Sequence, residues 1–550
     1  MKALFALKPF LAVAIIFLSS ALCFASEKDA DWIEDLNYFA ENVPAQHIDF
    51  FKKHSQDDFN NSVNILRDEI PQLEDHQIIV RINQLLSMAQ DGHSFIGGYH
   101  PLIESEFGDG LEFEGVPIRF YSFQEGLYIY AAHKDYTNYL GYKLVAINGI
   151  PAQEALEIVS QTFPVESRFA IRNIGPYGLV IPKILHTYGL SSSPNEAKFE
   201  LEHDGQITSV VFPTISAHPN ELLGMVSDLD WVRIDAKKPP YLKNENVAAW
   251  HRFSEKENLV YLKLNSFEKK NLALVDEKVL SAIEQANKNK ATKLIVDIRH
   301  NPGGETGIVN TIAKRLAAAT ANHEKKLFVI IGNRTFSAAQ LLATALEQYT
   351  HAIFVGEPTG INVHFFGNAR NRIVLPNSEL KIFTATSWWQ TTNMNDRRKW
   401  QAPDIATPLN FQDFIDGKNV ALEAITNGLK VQNLETDINN FTSGKLKFET
   451  FLENYNAFKN SKFNQYKNTE DEMNTLGYWL IEDNKLTAAK SIFKLNVIAY
   501  PNSANAYDSL GEAYLALGEK QNALDSYKSA LVLNPNDERV KSIISDIQNN

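Results

Sequence analysis

Ser337 stands where an apolar run, Leu327-Phe328-Val329-Ile330-Ile331, passes through Gly332-Asn333-Arg334-Thr335-Phe336 into a helical segment, Gln340 to Tyr349. One unit earlier, Leu294-Ile295-Val296 runs through Asp297-Ile298-Arg299-His300-Asn301-Pro302-Gly303-Gly304 into a helical segment ending near Ala321. Short apolar runs between helices predict buried parallel strands. In such sheets chemistry gathers where strands end and helices begin. A serine there, facing glycine amides, is a candidate nucleophile beside an oxyanion hole made by the backbone amides of Gly303 or Gly304 and of Ala338. Glycine suits that role because it accepts positive φ and lets the backbone approach a substrate. The plainer reading of Ser337 is a helix N-cap. A serine nucleophile needs a nitrogen base within hydrogen-bond reach and a group that holds the ring in one tautomer. Two histidines qualify by position: His93, in the turn Asp91-Gly92-His93-Ser94-Phe95, and His364, on the loop after Gly360. Each is otherwise a loop histidine with local bonds. Glu357 is an available acid.

Other chemistries fit poorly. The Gly303-Gly304 turn lacks the Lys-Ser/Thr that follows in a phosphate-cradling loop, so nucleotide binding is not expected. The histidines show no paired ligand spacing with a nearby acid, so neither a metal nor any other cofactor is expected. Cys23 is the only cysteine and lies in the N-terminal leader, which excludes disulfides and a cysteine nucleophile from the mature chain. A formal net charge of −13 argues against nucleic-acid binding.

The serine region also carries a resemblance. Asp297-x-Arg299-x-Asn301-x-Gly303-Gly304, Thr335-x-Ser337-Ala338-Ala339 and Gly356-Glu357-x-Thr359-Gly360 resemble the tail-specific (carboxyl-terminal processing) serine protease family, whose clan includes the tricorn core. The similarity is specific from about Leu259 to Ile425, weaker upstream, and absent from the C-terminus. It implies an α/β catalytic domain, crotonase-like and ClpP-related, that cleaves peptide or unfolded protein substrates. The tricorn-like branch places its histidine on a turn like that at His93 and an acid shortly before a Pro-Asp turn; Asp396, eight residues before Asp404, occupies the matching place. The better-known branch uses a lysine base, and the comparable spacing from Ser337 lands on Asn362. A Ser-Lys dyad at the usual place is thereby excluded.

The whole chain reads as a multidomain α/β protein. Its 550 residues predict about two to four domains. Residues 1–25 read as a signal peptide, with Lys2 and Lys8 before an apolar core and a cleavage site ahead of Ser26, so a periplasmic location is expected, with an uncleaved membrane anchor as the alternative. Residues 26–100 form a helical region, where Phe59, Val63, Leu66 and Ile70 mark one stripe. Residues 101–211 are β-rich, and Gly141 to Thr162 resembles the strand-turn-helix half of a PDZ-type domain, a module that captures peptides at a sheet edge. A carboxylate-binding Gly-Leu-Gly-Phe loop is not evident there. Residues 212–255 read as a connector, 256–429 as the catalytic domain and 430–469 as a helical linker. In 470–550 the set Leu476, Gly477, Ala489, Phe493, Pro501 recurs at an offset of 34 as Leu510, Gly511, Ala523, Tyr527, Pro535, the period of tetratricopeptide repeats. Such an all-α tail either binds a protein partner or caps the fold, and homo-oligomerisation stays open. Two functions therefore compete: a serine peptidase acting through Ser337, and an inactive scaffold that binds peptides or proteins through the PDZ-like and tetratricopeptide surfaces.

Overall fold

The apolar runs of the serine region form one six-stranded sheet in the order Ile405–Ala406, Ile353–Gly356, Lys326–Ile331, Lys293–Asp297, Leu259–Leu264, Ala249–Ser254 in the computed structural model, which describes residues 27–97, 113–215, 230–234, 238–321, 325–392, 396, 398–431 and 434–549. The predicted leader lies outside these residues, as do the start of the region read as PDZ-like and part of the connector. Five strands are parallel, and Ala249–Ser254 runs antiparallel at one edge. That edge strand lies in the stretch expected to be a mere connector. Alternate residues explain why the runs are apolar throughout. Val260, Leu262, Leu294, Val296, Val329 and Ile331 pack against the helices Leu272–Lys288, Val309–Thr320 and Ala338–Tyr349. Tyr261, Ile295, Phe328, Ile330 and Val355 face the other way, toward Phe414, Leu422 and Ile425.

A second, antiparallel sheet takes Ile118–Phe123, Gly126–His133, Lys143–Ile147, Glu196–His203 and Gln206–Pro213 in that order, with Ile150–Pro151 and Trp231–Arg233 at its side. Three helices, Ala152–Ser160, Arg168–Gly178 and Pro182–Thr187, interrupt it. The sequence reading found only the first. Gly175, Pro176 and Gly178 look like helix breakers, yet Gly175 is there for packing: a Cβ would sit 2.5 Å from Leu156 Cδ1.

The N-terminal region is helical as expected, with helices Glu27–Gln46, Gln56–Glu69 and Asp75–Ser87. Phe59, Val63, Leu66 and Ile70 are all buried, and Ser55 caps the second helix. These helices share a core with the antiparallel sheet and with Ile373, Leu375, Leu380 and Ile382. Those four residues belong to a long hairpin arm, Phe365–Val374 paired with Lys381–Trp389, and the arm's second strand accepts the short strand Phe95–Ile96 in register Phe95↔Phe383 and Ile96↔Ile382. The arm thereby fastens the turn that holds His93 to the chain that follows Ser337.

Beyond the catalytic sheet the chain is helical. Glu435–Thr442 and Phe448–Lys459 occupy the expected linker. Two helix pairs follow, Thr469–Glu482 with Leu486–Ala499 and Ala504–Ala516 with Lys520–Leu533, then Glu538–Asn549. A Cβ on Gly477 would lie 2.3 Å from Phe493, and one on Gly511 2.9 Å from Tyr527. In each pair a ring of the second helix fills the space that a missing side chain leaves on the first.

Candidate active site

Ser337 has φ 51° and ψ −123°, a conformation that non-glycine residues rarely adopt. It immediately precedes the Ala338–Tyr349 helix, yet its side chain makes no cap hydrogen bond. The N-cap reading therefore fails on geometry, and Oγ is left for another partner. The residues of the surrounding motifs build this elbow. Asn301 Oδ1 accepts from Gly303 N at 2.8 Å, and Asn301 O accepts from Phe336 N at 3.1 Å. Thr335 Oγ1 donates to Ile298 O and accepts from Gly332 N, both at 3.0 Å. Asp297 accepts from Lys263 Nζ at 3.0 Å, from Arg299 N at 3.0 Å and from Tyr261 Oη. Burial opposes its charge, but Arg299 and Lys263 outweigh that and hold its carboxyl well below the usual range. Burial pushes Lys263 down to about 8. This fully buried cluster fixes the strand end from which the glycine turn departs.

His93 Nε2 lies 3.0 Å from Ser337 Oγ, across 244 residues of sequence. Its ring stacks on Phe336 and Phe365, with centroids 4.7 and 5.6 Å away. Burial pushes its pKa down to about 4, against the opposing pull of Asp91 and the Phe366 backbone. The ring is thus neutral at pH 7, the form that accepts a proton. Asp91, buried, shapes the turn: its Oδ1 accepts from His93 N at 2.8 Å and from Ser94 N at 2.5 Å, and its Oδ2 from His47 Nε2 at 2.9 Å. Burial disfavours the Asp91 carboxylate, but His47 and Ser94 keep its pKa below the ordinary value. His47 Nδ1 accepts from Asp49 N at 3.0 Å, which leaves Nε2 as the donor. Ser94 Oγ accepts from Ala385 N of the arm at 3.1 Å. Asp91→Ala strands three buried donors, and we expect it to cost about 3 kcal/mol of stability, read as a lowered denaturant midpoint.

The structure does not bring the other predicted acids and bases to this pair. Asp396, expected to orient the base, is corrected: its carboxylate accepts from Thr392 at 2.8 Å and from Arg398 at 2.9–3.2 Å, and Arg398 also grips Glu347. Among the described residues no carboxylate bonds to His93 Nδ1, and the Phe366 backbone is the polar group that acts on the ring besides Asp91. His364 is engaged by Thr391 N at 3.2 Å and Thr392 Oγ1 at 3.1 Å, away from Ser337. Glu357 pairs with Arg172 at 3.1 Å. The Gly303 amide, one of three named for the oxyanion hole, is taken by Asn301; Gly303 instead lets the two turns meet, with its φ at 102°. Gly304 (φ 124°) lines the cleft beside Ser337, and Ala338 N lies at the free N-terminus of its helix. No hydrogen bond is made by either amide among the described residues.

The cleft measures about 360 Å³ and is bounded by His93, Ser337, Gly304, Phe336, Ile174 and Glu166 among others. Glu166 was not singled out from the sequence. It accepts from Asn362 N at 3.2 Å and Gly92 N at 3.4 Å, and burial, with Asp91 nearby, raises its pKa well above the usual value. Nothing local marks it, because its partners are 74 and 196 residues away. Among the described residues no cluster of His, Cys, Asp or Glu has the makings of a metal site.

A strained serine at a strand-to-helix turn, hydrogen-bonded to a histidine, is an arrangement that suits nucleophilic catalysis. The family description Peptidase family S41 matches residues 258–321, which spans the glycine turn and stops short of Ser337. The structure resembles mature CPAF, with a TM-score of 0.50 and 12% identity over 74% of this chain and 100% of that one, a likeness that shows the fold. Weaker likenesses, on which nothing below rests, are to the photosystem II D1 C-terminal processing protease (TM-score 0.33, 12% identity, 72% of this chain and 99% of that one) and the tricorn protease (0.34, 11%, 74% and 37%). No curated protein matches the sequence. Residues 258–321 are thus similar to peptidase family S41, and the fold as a whole is similar to that of mature CPAF.

Proposed function

We propose that the protein hydrolyses peptide bonds through an acyl-enzyme on Ser337, with His93 as general base and later general acid. The 3.0 Å approach of His93 Nε2 to Ser337 Oγ carries this reading. Gly304 N–H and Ala338 N–H are the donors for the oxyanion. Among the described residues no carboxylate stands behind His93; the aromatic sandwich of Phe336 and Phe365 and the turn held by Asp91 orient the ring. This arrangement speaks against the scaffold alternative, which has no use for a strained serine. The antiparallel sheet as a PDZ-like cap and the C-terminal helix pairs as tetratricopeptide repeats belong to the same proposal. The 34-residue offset and the repeated glycine–ring contacts support the latter. Export to the periplasm rests on the leader alone. Among the described residues no helix is long and apolar enough to cross a membrane.

The test is labelling by a fluorophosphonate serine probe, expected in wild type and absent in Ser337→Ala. Folded wild type that takes no label, and digests no peptide library, restores the scaffold reading. The pH profile adds a second check. A base with pKa about 4 is neutral from mildly acidic pH upward, so labelling is flat across neutrality and falls only as pH drops through about 4. An acid limb centred near 6.5, the value of a solvated histidine, contradicts a buried His93 as the base.

A further inference from the structure

Glu166 lines the cleft from the segment between the helices Ala152–Ser160 and Arg168–Gly178, and takes no part in the steps assigned to Ser337 and His93. Its two oxygens go to two different stretches of chain. Oε1 accepts from Gly92 N at 3.4 Å, and Oε2 accepts from Asn362 N at 3.2 Å. Neither amide has another acceptor among the described residues. Both ends of this bridge lead to the base. Gly92 is joined to His93, whose Nε2 stands 3.0 Å from Ser337 Oγ. Asn362 lies three residues before Phe365, whose ring is stacked on that of His93 at an interplanar angle of 7°. The contacts therefore close a loop, from Glu166 through Gly92, His93, Phe365 and Asn362 back to Glu166. Gly92 is also pressed against Phe336, where a Cβ would stand 2.7 Å from the ring. The pairing Phe95↔Phe383 fastens the histidine turn after His93, and Glu166 fastens it before.

A carboxyl group suits this place because it presents an acceptor oxygen to each donor. Glutamine presents one, and would turn an N–H toward the other amide. Burial and the nearby Asp91 disfavour the charge on Glu166, while the two amides and Lys53 favour it. A carboxyl is thus kept here against burial and repulsion, which an apolar residue filling the wall would avoid. Resting on the peptidase reading, we propose that Glu166 is a positioning residue: by bridging Gly92 N and Asn362 N it holds the His93 ring on Ser337 Oγ. Its part is played through His93, not on the substrate.

The experiment follows the rate of fluorophosphonate labelling against pH in full-length wild type, Glu166→Gln and Glu166→Ala. Affinity for a peptide that wild type cleaves is measured in parallel, with each variant combined with Ser337→Ala. At neutral pH, Glu166→Gln is expected to slow labelling about tenfold and Glu166→Ala about 10²-fold, as a displaced catalytic group would. Peptide affinity should stay within about threefold, because the loss falls on the reacting groups. In Glu166→Ala the loosened ring gains water, so the acid limb of labelling should move from about 4 toward the ordinary histidine value. Glu166→Gln, of the same size, carries the test if Glu166→Ala does not fold. Folded variants that label within about threefold of wild type overturn the proposal. So does slower labelling with an unmoved acid limb, which is general destabilisation, or affinity that falls in step with rate, which makes Glu166 a substrate contact. Wild type that takes no label sinks the peptidase reading itself, whereas labelled wild type with indifferent variants sinks only the role of Glu166.

Discussion

Replacing His93 with alanine is expected to lower peptide hydrolysis and probe labelling together by about 10²- to 10⁴-fold, the range that general-base assistance contributes. The effect should fall on kcat rather than KM, because the ring touches Ser337 Oγ and not a distant part of the substrate. The fold should survive, since Asp91 binds the turn through backbone amides that alanine keeps. His364→Ala and Asp396→Ala serve as comparisons. Both residues are engaged elsewhere, by Thr391 and Thr392 and by Arg398, and each variant should keep activity within a few-fold. If His93→Ala stays within threefold of wild type while His364→Ala collapses, the base has been misassigned.

The second large effect is expected from Gly303→Ala. A Cβ there would stand 2.7 Å from Ser337 Cβ, 2.9 Å from Ala338 N and 2.9 Å from Phe336 O. Two of these neighbours are backbone atoms of the nucleophile turn and cannot swing aside as a flexible side chain would. The φ of 102° adds strain of about 1–3 kcal/mol. Relief must come from moving Ser337 or the Ala338 amide, so labelling should fall at least 10²-fold even in protein that remains folded. Near-ultraviolet circular dichroism and the thermal midpoint separate this from simple unfolding. Wild-type labelling by a folded Gly303→Ala would show that the two turns do not meet as described.

How much of this was legible beforehand depends on the range of the contacts. The serine elbow and the glycine turn were readable because each is a local strand-turn-helix pattern. The occupation of the Gly303 amide was readable in principle too, since an asparagine two residues before it is an Asx-turn signal. Asp396 misled because its place near a Pro-Asp turn says nothing of Arg398, two residues on, which claims the carboxylate. The structure's placement of His93 rests on the register Phe95↔Phe383, a pairing that no window of sequence contains. The helix at Arg168–Gly178 was missed because its glycines serve packing rather than turning. Glu166 was missed because its burial depends on three separate segments.

The hairpin arm has a consequence for the life of the chain before folding is complete. His93 and Ser337 are both present once 337 residues have been made, yet the strand Lys381–Trp389 that seats the histidine turn comes later. A nascent chain of that length therefore carries both side chains without the strand that brings them together. The order of the chain itself thus delays the pairing of His93 with Ser337 until the arm has been made.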